Sequence, residues 1–280
     1  MGDIATALTG EFRHPRNMHQ GSGGSIHNDA TASKLGFKGG TVPGSVHMDQ
    51  FVPLILKTYG EAWFERGDIS TYFTQATVDN EAVRTELAPG AERARLTLYN
   101  EPGAVILEGT ASLSAPDKGS ELLKRMQMQE PAGRLRILGD IKIGDEHRDL
   151  IVQVSVEHLK RTLENITETI PAYAEDNILP PSQVVHLAHQ TRTSAMAKQK
   201  KAVGLFGALQ VQHLRGPLRA GVDYRARTRI LKLTESPRTE NVWYDVSFQE
   251  AGGGEDVGSM LYCLRFMKAS SPLWEPTAQA

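Results

Sequence analysis

Between Ser22 and Gly44 the 280-residue chain reads Ser-Gly-Gly-Ser-Ile-His-Asn-Asp, then Ala-Thr-Ala-Ser-Lys-Leu-Gly-Phe, then Lys-Gly-Gly-Thr-Val-Pro-Gly, and continues into an apolar helix. An imidazole at His27 can take a proton from water and return it near neutral pH. It stands beside a glycine-rich turn that leads into a helix start, where free backbone N–H groups can hold a developing anion. Gly44 is the position for such a donor, because a residue without a Cβ lets an oxygen approach the backbone closely. Asp29, two residues after His27, could orient the imidazole or act as a base; its plainer role is a negative charge near a helix N-terminus. Ser22 could hold a water through its hydroxyl but cannot act as a base unaided. His47 and Asp49 fall in the first turn of the helix and could supply a further base, or cap it. The competing reading of His27 is a capping residue at a short helix start.

The elements that would position these groups are legible from periodicity. From Met48 the apolar residues Phe51, Val52, Ile55, Tyr59 and Ala62 fall at spacings of three and four, which predicts a helix ending near Gly67. Pro53 removes one backbone hydrogen bond, so a kink or a late start is expected there. Strand-like alternation follows at 69–79, 92–100 and 104–113, with turns at Pro89-Gly90 and Asn100-Glu101-Pro102-Gly103. A polar stretch from Ala115 to about Gly133 suits a linker, with a short helix from Leu122 to Met128. Val184, Leu187, Ala188, Thr191 and Ala195 then form a second helical ladder directly after Pro180-Pro181-Ser182, and strand candidates follow at 205–214, 222–233, 241–250 and 257–268. A helix followed by antiparallel strands thus occurs twice, at a spacing of about 140 residues. The fold class is α+β. Residues 1–116 form a first unit carrying the candidate site, 117–134 the linker, and 135–280 a second unit.

With 31 basic against 33 acidic residues and a net charge of -2, the chain has no field that argues for nucleic acid or a membrane surface as a partner. The single cysteine, Cys263, excludes an intrachain disulfide and fits a reducing compartment; its apolar surroundings favour burial over a nucleophilic role. No basic leader with an apolar run opens the chain and no segment reaches membrane-span length, so a cytoplasmic protein is expected. Dinucleotide, P-loop and nucleophile-elbow motifs are missing. His186 and His189 lie three apart on the second helix without a third ligand in view, so no metal is expected.

The segment around His27 resembles the MaoC-like dehydratases, the family of (R)-specific enoyl-CoA hydratases. Their signature runs Asp-x-Asn-Pro, an aliphatic residue, His-x-Asp, a small residue, then Gly-Phe and a glycine opening the helix. Ile26, His27, Asp29, Ser33, Gly36-Phe37 and Gly44 are retained, with the gap from His27 to Gly36 one residue shorter. The family's catalytic aspartate falls at Ser22, its asparagine at Gly24 and its proline at Ser25, so the catalytic pair is incomplete. The resemblance implies a double hot-dog fold, two antiparallel sheets each wrapped around a long central helix. It also implies a hydro-lyase that adds water to, or removes it from, a double bond conjugated to a thioester carbonyl.

The implied partner is an acyl-CoA or acyl-carrier thioester, with coenzyme A as part of the substrate and no further cofactor. Lys34, Lys38, Arg84 and Arg93 are candidates for its phosphates. Hot-dog domains generally pair across a shared sheet; the duplication supplies such a pair within one chain, and a homodimer stays open. Two other functions compete: an acyl-CoA thioesterase using Asp49 or Asp29 as base, and a non-catalytic acyl-CoA-binding subunit, which the missing aspartate suggests. The second unit has Ala174-Glu175-Asp176-Asn177-Ile178-Leu179 before its helix instead of an Ile-His-x-Asp, so its expected part is to complete the sheet and shape the acyl pocket.

Overall fold

The computed structural model describes residues 6–274. The reading of the chain start as leaderless rests partly on residues 1–5, which lie outside that range. The first half runs β1 (Leu8–Thr9), α1 (Asp29–Lys34), α2 (Gly44–Asp49), α3 (Val52–Tyr59), α4 (Trp63–Arg66), β2 (Asp68–Phe73), β3 (Val83–Ala88), β4 (Ala94–Asn100) and β5 (Val105–Ser112). After α5 (Glu121–Met128) the second half runs β6 (Glu146–Val152), α6 (Val156–Leu163), α7 (Pro171–Glu175), α8 (Pro181–His189), α9 (Arg192–Ala195), β7 (Gly204–His213), β8 (Tyr224–Glu235), β9 (Thr239–Glu250) and β10 (Gly258–Met267).

All ten strands join one antiparallel sheet in the order β1-β3-β4-β5-β2-β7-β10-β9-β8-β6. Read outward from the β2–β7 pair, the two halves present their strands in the same order. The two expected sheets are thus the two halves of one sheet, paired across a shared edge. An unpaired strand edge exposes a row of N–H and C=O groups, and here each half covers the other's, from Asp68↔Gln212 to Tyr72↔Ala208.

The long central helices, by contrast, are corrected. The first ladder is broken into α2, α3 and α4, because Pro53 cannot donate to the turn before it and Gly60, at φ 68°, ends α3 in a left-handed conformation. The second breaks between α8 and α9 at Gln190–Thr191. The expected stripe nevertheless faces inward: Phe51, Val52 and Ile55 are fully buried and belong to the same apolar core as Ile69, Leu96 and Leu98 of the sheet. The 117–134 segment crosses the outer face of the sheet. There Leu122 packs on Ala208, Trp243, Leu261 and the buried Cys263, and Trp243 Nε1 donates to Gln129 Oε1 at 3.3 Å.

The short helix start expected at Asp29 is α1, with Asp29 in its first turn, whereas strands β1, β3 and β6 and helices α6 and α7 were not anticipated. In β3 the alternation is regular, with Val83, Thr85 and Leu87 buried and Arg84 exposed between them. In α6 the signal was Ser155, whose hydroxyl accepts from the His158 N–H, ahead of Val156, Leu159 and Leu163 at spacings of three and four. Among the described residues no helix is long and apolar enough to cross a membrane.

Candidate functional site

The loop preceding α1, the turn before α2 and the end of β2 enclose, together with α6, α8 and the start of β7, a cleft of about 880 Å³ between the two halves. His27 lies on its wall, laced in place by backbone. Asn17 Nδ2 donates to the His27 carbonyl at 2.8 Å, and the Thr41 N–H donates to the Ile26 carbonyl at 2.9 Å. Gly40 is required there: a Cβ on it would lie 2.3 Å from the His27 carbonyl oxygen. The ring is fixed as well. Its Nδ1 lies 2.7 Å from the Thr41 carbonyl, which can only accept, so Nδ1 carries the proton and Nε2 is left as the basic nitrogen. Nε2 has no hydrogen-bond partner among the described residues. Partial burial lowers the His27 pKa; the Thr41 carbonyl opposes this, and the neighbouring His19, with ring centroids 5.6 Å apart, adds to it. The imidazole therefore stays neutral and basic at physiological pH.

Gly44 opens α2 on the same wall. A Cβ there would stand 2.8 Å from the Phe73 ring, and the N–H groups of Gly44 and Ser45 meet no acceptor among the described residues. Ser22 also lines the cleft, in the turn closed by its N–H to the His19 carbonyl at 2.9 Å.

His47 reaches the cleft from one side but is committed on both nitrogens. Nδ1 donates to Gln50 Oε1 at 3.0 Å, and Nε2 accepts from the Thr77 hydroxyl at 2.8 Å. Burial lowers its pKa. It acts as a brace between α2 and the segment after β2.

The two carboxylates do not line the cleft. Asp29 Oδ1 accepts from the Gly40 N–H at 2.7 Å, which ties the first turn of α1 to the turn that positions Thr41. Asp49 is fully buried between α2 and α8, where Oδ1 accepts from the Ser182 N–H at 2.8 Å and Oδ2 has no partner. Burial pushes its pKa up to about 8 despite the Ser182 bonds, and Glu168 nearby adds to the rise, so Asp49 is largely protonated at neutral pH.

The cleft wall thus brings together Ser22, His27, Gly44 and His47 and leaves out Asp29 and Asp49. Among the described residues it holds no Asp or Glu at all. None of Lys34, Lys38, Arg84 and Arg93 reaches it; Arg93 pairs with Asp117 at 2.8 Å and Arg84 lies over the Phe12 ring at 5.0 Å. The second half forms the facing wall, where His186 and His189, noted in the sequence only as an incomplete metal pair, are joined by His158, Arg161 and Arg192, which sequence reasoning missed. His186 stacks on His158 with centroids 4.6 Å apart, and no group of three potential metal ligands forms among the described residues. Cys263 is sealed in the outer core, where burial pushes its thiol up to about 12.

A helix-backed antiparallel sheet, duplicated and joined edge to edge, is a double hot-dog fold, with its cleft between the halves. Solved structures share it. A protein named as a MaoC domain protein dehydratase from Chloroflexus aurantiacus J-10-fl superposes with a TM-score of 0.66 at 12% identity, covering 95% of this chain and 96% of that one. A MaoC-like dehydratase gives 0.57 at 13% identity, over 94% of this chain and 98% of that chain. A conserved hypothetical protein of Mycobacterium tuberculosis with a double hot-dog fold gives 0.57 at 12% identity, over 95% and 97%. No family model and no curated protein matches the sequence. The resemblance drawn from the His27 segment is thus met at the level of the fold.

Proposed function

We propose that this chain adds water to, or removes it from, an acyl thioester with a double bond conjugated to its carbonyl, with His27 as the acid–base group. The observation that carries this reading is the Thr41 carbonyl on Nδ1, which leaves Nε2 unpartnered on the cleft wall. In the hydration direction Nε2 takes a proton from water as its oxygen bonds to the β-carbon. The negative charge that develops on the thioester oxygen meets the free N–H of Gly44. His27 then returns the proton to the α-carbon, so one water is added in balance, and dehydration is the reverse. The Ser22 hydroxyl is suited to hold the water. Coenzyme A or an acyl-carrier protein brings the thiol as part of the substrate, and no other cofactor enters.

The fold shared with proteins named as dehydratases supports the class of reaction. Hydrolysis of the thioester would need Asp29 or Asp49 as base, and both carboxylates are engaged away from the cleft. A second reading, acyl-thioester binding without turnover, is favoured by the lack of any carboxylate on the described cleft wall. A mass-spectrometric screen of enoyl- and hydroxyacyl-CoAs with wild type and His27→Ala separates these. A gain or loss of one water that disappears in the variant supports the proposal. Binding without mass change supports the second reading, and release of free coenzyme A would overturn both.

A further inference from the structure

We infer that the acyl group taken into the cleft carries a carboxylate of its own, received by Arg192 with His189 beside it. This rests on the acyl-thioester reading above and names its substrate class. Six of the chain's nine histidines line this one cleft, His19, His27, His47, His158, His186 and His189, together with three arginines. Of the chain's 33 Asp and Glu residues, none lines it among those described. A wall of this composition favours an anionic ligand.

Most of these groups are already engaged. His47 is bonded on both nitrogens, His158 and His186 stack on each other, and Arg265 lies over the Tyr72 ring at 5.0 Å and donates to the Phe73 carbonyl at 3.4 Å. Arg192 and His189 are not. They sit three residues apart across the α8–α9 junction, a spacing that brings side chains together. The Arg192 guanidinium is carried 6.0 Å from the Phe266 centroid and packs against Gly204, yet its Nε is buried without an acceptor, and no ion pair among the described residues involves it. His189 Nδ1 is likewise buried without a partner, its ring edge-on to Phe206 at 5.9 Å. Buried charged groups and ring nitrogens are ordinarily paired, so two orphans side by side mark a vacant acceptor position. A carboxylate fills it: the planar guanidinium offers parallel N–H donors that match two carboxylate oxygens.

Burial, then Arg192, push the His189 pKa down to about 4, so the empty site holds one positive charge; an arriving carboxylate reverses that balance and lets His189 donate too. The carrier's phosphates are less suited, because they are multiply charged and strongly hydrated. The exposed Arg161 at the rim serves such a group better than the buried Arg192 Nε.

The test compares two enoyl-CoAs of equal length, one ending in a carboxylate and one in its methyl ester, reading the ratio of their kcat/KM. Wild type is expected to favour the carboxylate by about 100-fold or more, because a site built for a polar group strongly rejects the analogue that leaves it unpaired. Arg192→Gln is expected to bring the ratio to near one and Arg192→Lys to restore part of it, with thermal melts confirming that both fold. A wild-type ratio near one, or a ratio that Arg192→Gln leaves unchanged, overturns the inference. Dephospho-CoA thioesters separate the two anions: if the Arg192→Gln effect vanishes with the ribose phosphate, the anion is the carrier's and the inference fails. Should neither thioester react, calorimetric titration with the saturated pair decides. An Arg192-dependent preference for the carboxylate keeps the inference while retiring water addition, and equal or undetectable binding of both retires it.

Discussion

His27 is set up as a base at Thr41, whose carbonyl accepts from its Nδ1 at 2.7 Å with the Thr41 hydroxyl 3.4 Å from the same nitrogen. Because burial lowers its pKa, the basic form persists into mildly acidic solution. The acidic limb of kcat/KM is therefore expected to have its midpoint below 6.5, and His27→Ala to lower kcat by about 10²–10⁴-fold; a pH–rate series on both proteins checks this. Asp49 gives the opposite kind of pH effect, on stability. Its folded pKa of about 8 lies above the ordinary carboxyl value near 4, so between those values the folded state holds a proton that the unfolded chain has released. Stability from this group is full below about pH 4 and is lost as pH rises through about 8; Asp68, with its pKa raised to about 7, acts in the same sense. Asp49→Asn keeps the acceptor for the Ser182 N–H and should raise the melting temperature at pH 8, by roughly 2–4 °C per kcal/mol gained, with the gap closing toward pH 4. A constant gap across that range would contradict the assignment. His27 was legible as a candidate from its neighbours, whereas the burial of Asp49 was not, since helix spacing does not say which second element covers a face.

The turn from Phe37 to Gly44 holds the site together. It receives the Asp29 carboxylate on the Gly40 N–H, gives the Thr41 carbonyl to His27, and ends at the free N–H of Gly44. Gly40→Ala forces the turn away from the His27 carbonyl, so it should cost about 1–3 kcal/mol of stability and lower turnover beyond what the melt explains. Urea melts and kcat/KM on the same samples test this, and an unchanged kcat/KM would count against the role given to the turn. The apolar ladders on both halves and four of the five strands of the second half, β7 to β10, could be read from periodicity alone. Helix α6 could not be ranked above the loops around it: its mean composition is polar, and only Ser155 and three apolar residues mark it. That omission hid His158 and Arg161 as cleft-lining residues.

The duplication was legible as a repeated helix-then-strands plan and the resemblance implied a shared sheet, but the strands that form the seam were not legible, because pairing of β2 with β7 joins residues about 140 apart and leaves no local trace. Whole-chain charge misled in the same way: a net charge of -2 averages over a cleft whose described lining holds three arginines and no carboxylate. Since the sheet is continuous and the 117–134 segment packs on strands of both halves, the molecule should unfold in one calorimetric transition, with van't Hoff and calorimetric enthalpies equal. Two resolved transitions would contradict that coupling. The central claim, water addition through His27, is tested most directly by running the reaction in water labelled with heavy oxygen. Label entering the β-hydroxyl of an enoyl thioester with wild type, and not with His27→Ala, is the predicted result. Label found in a released carboxylate, or in the β-hydroxyl at an undiminished rate in His27→Ala, would contradict it.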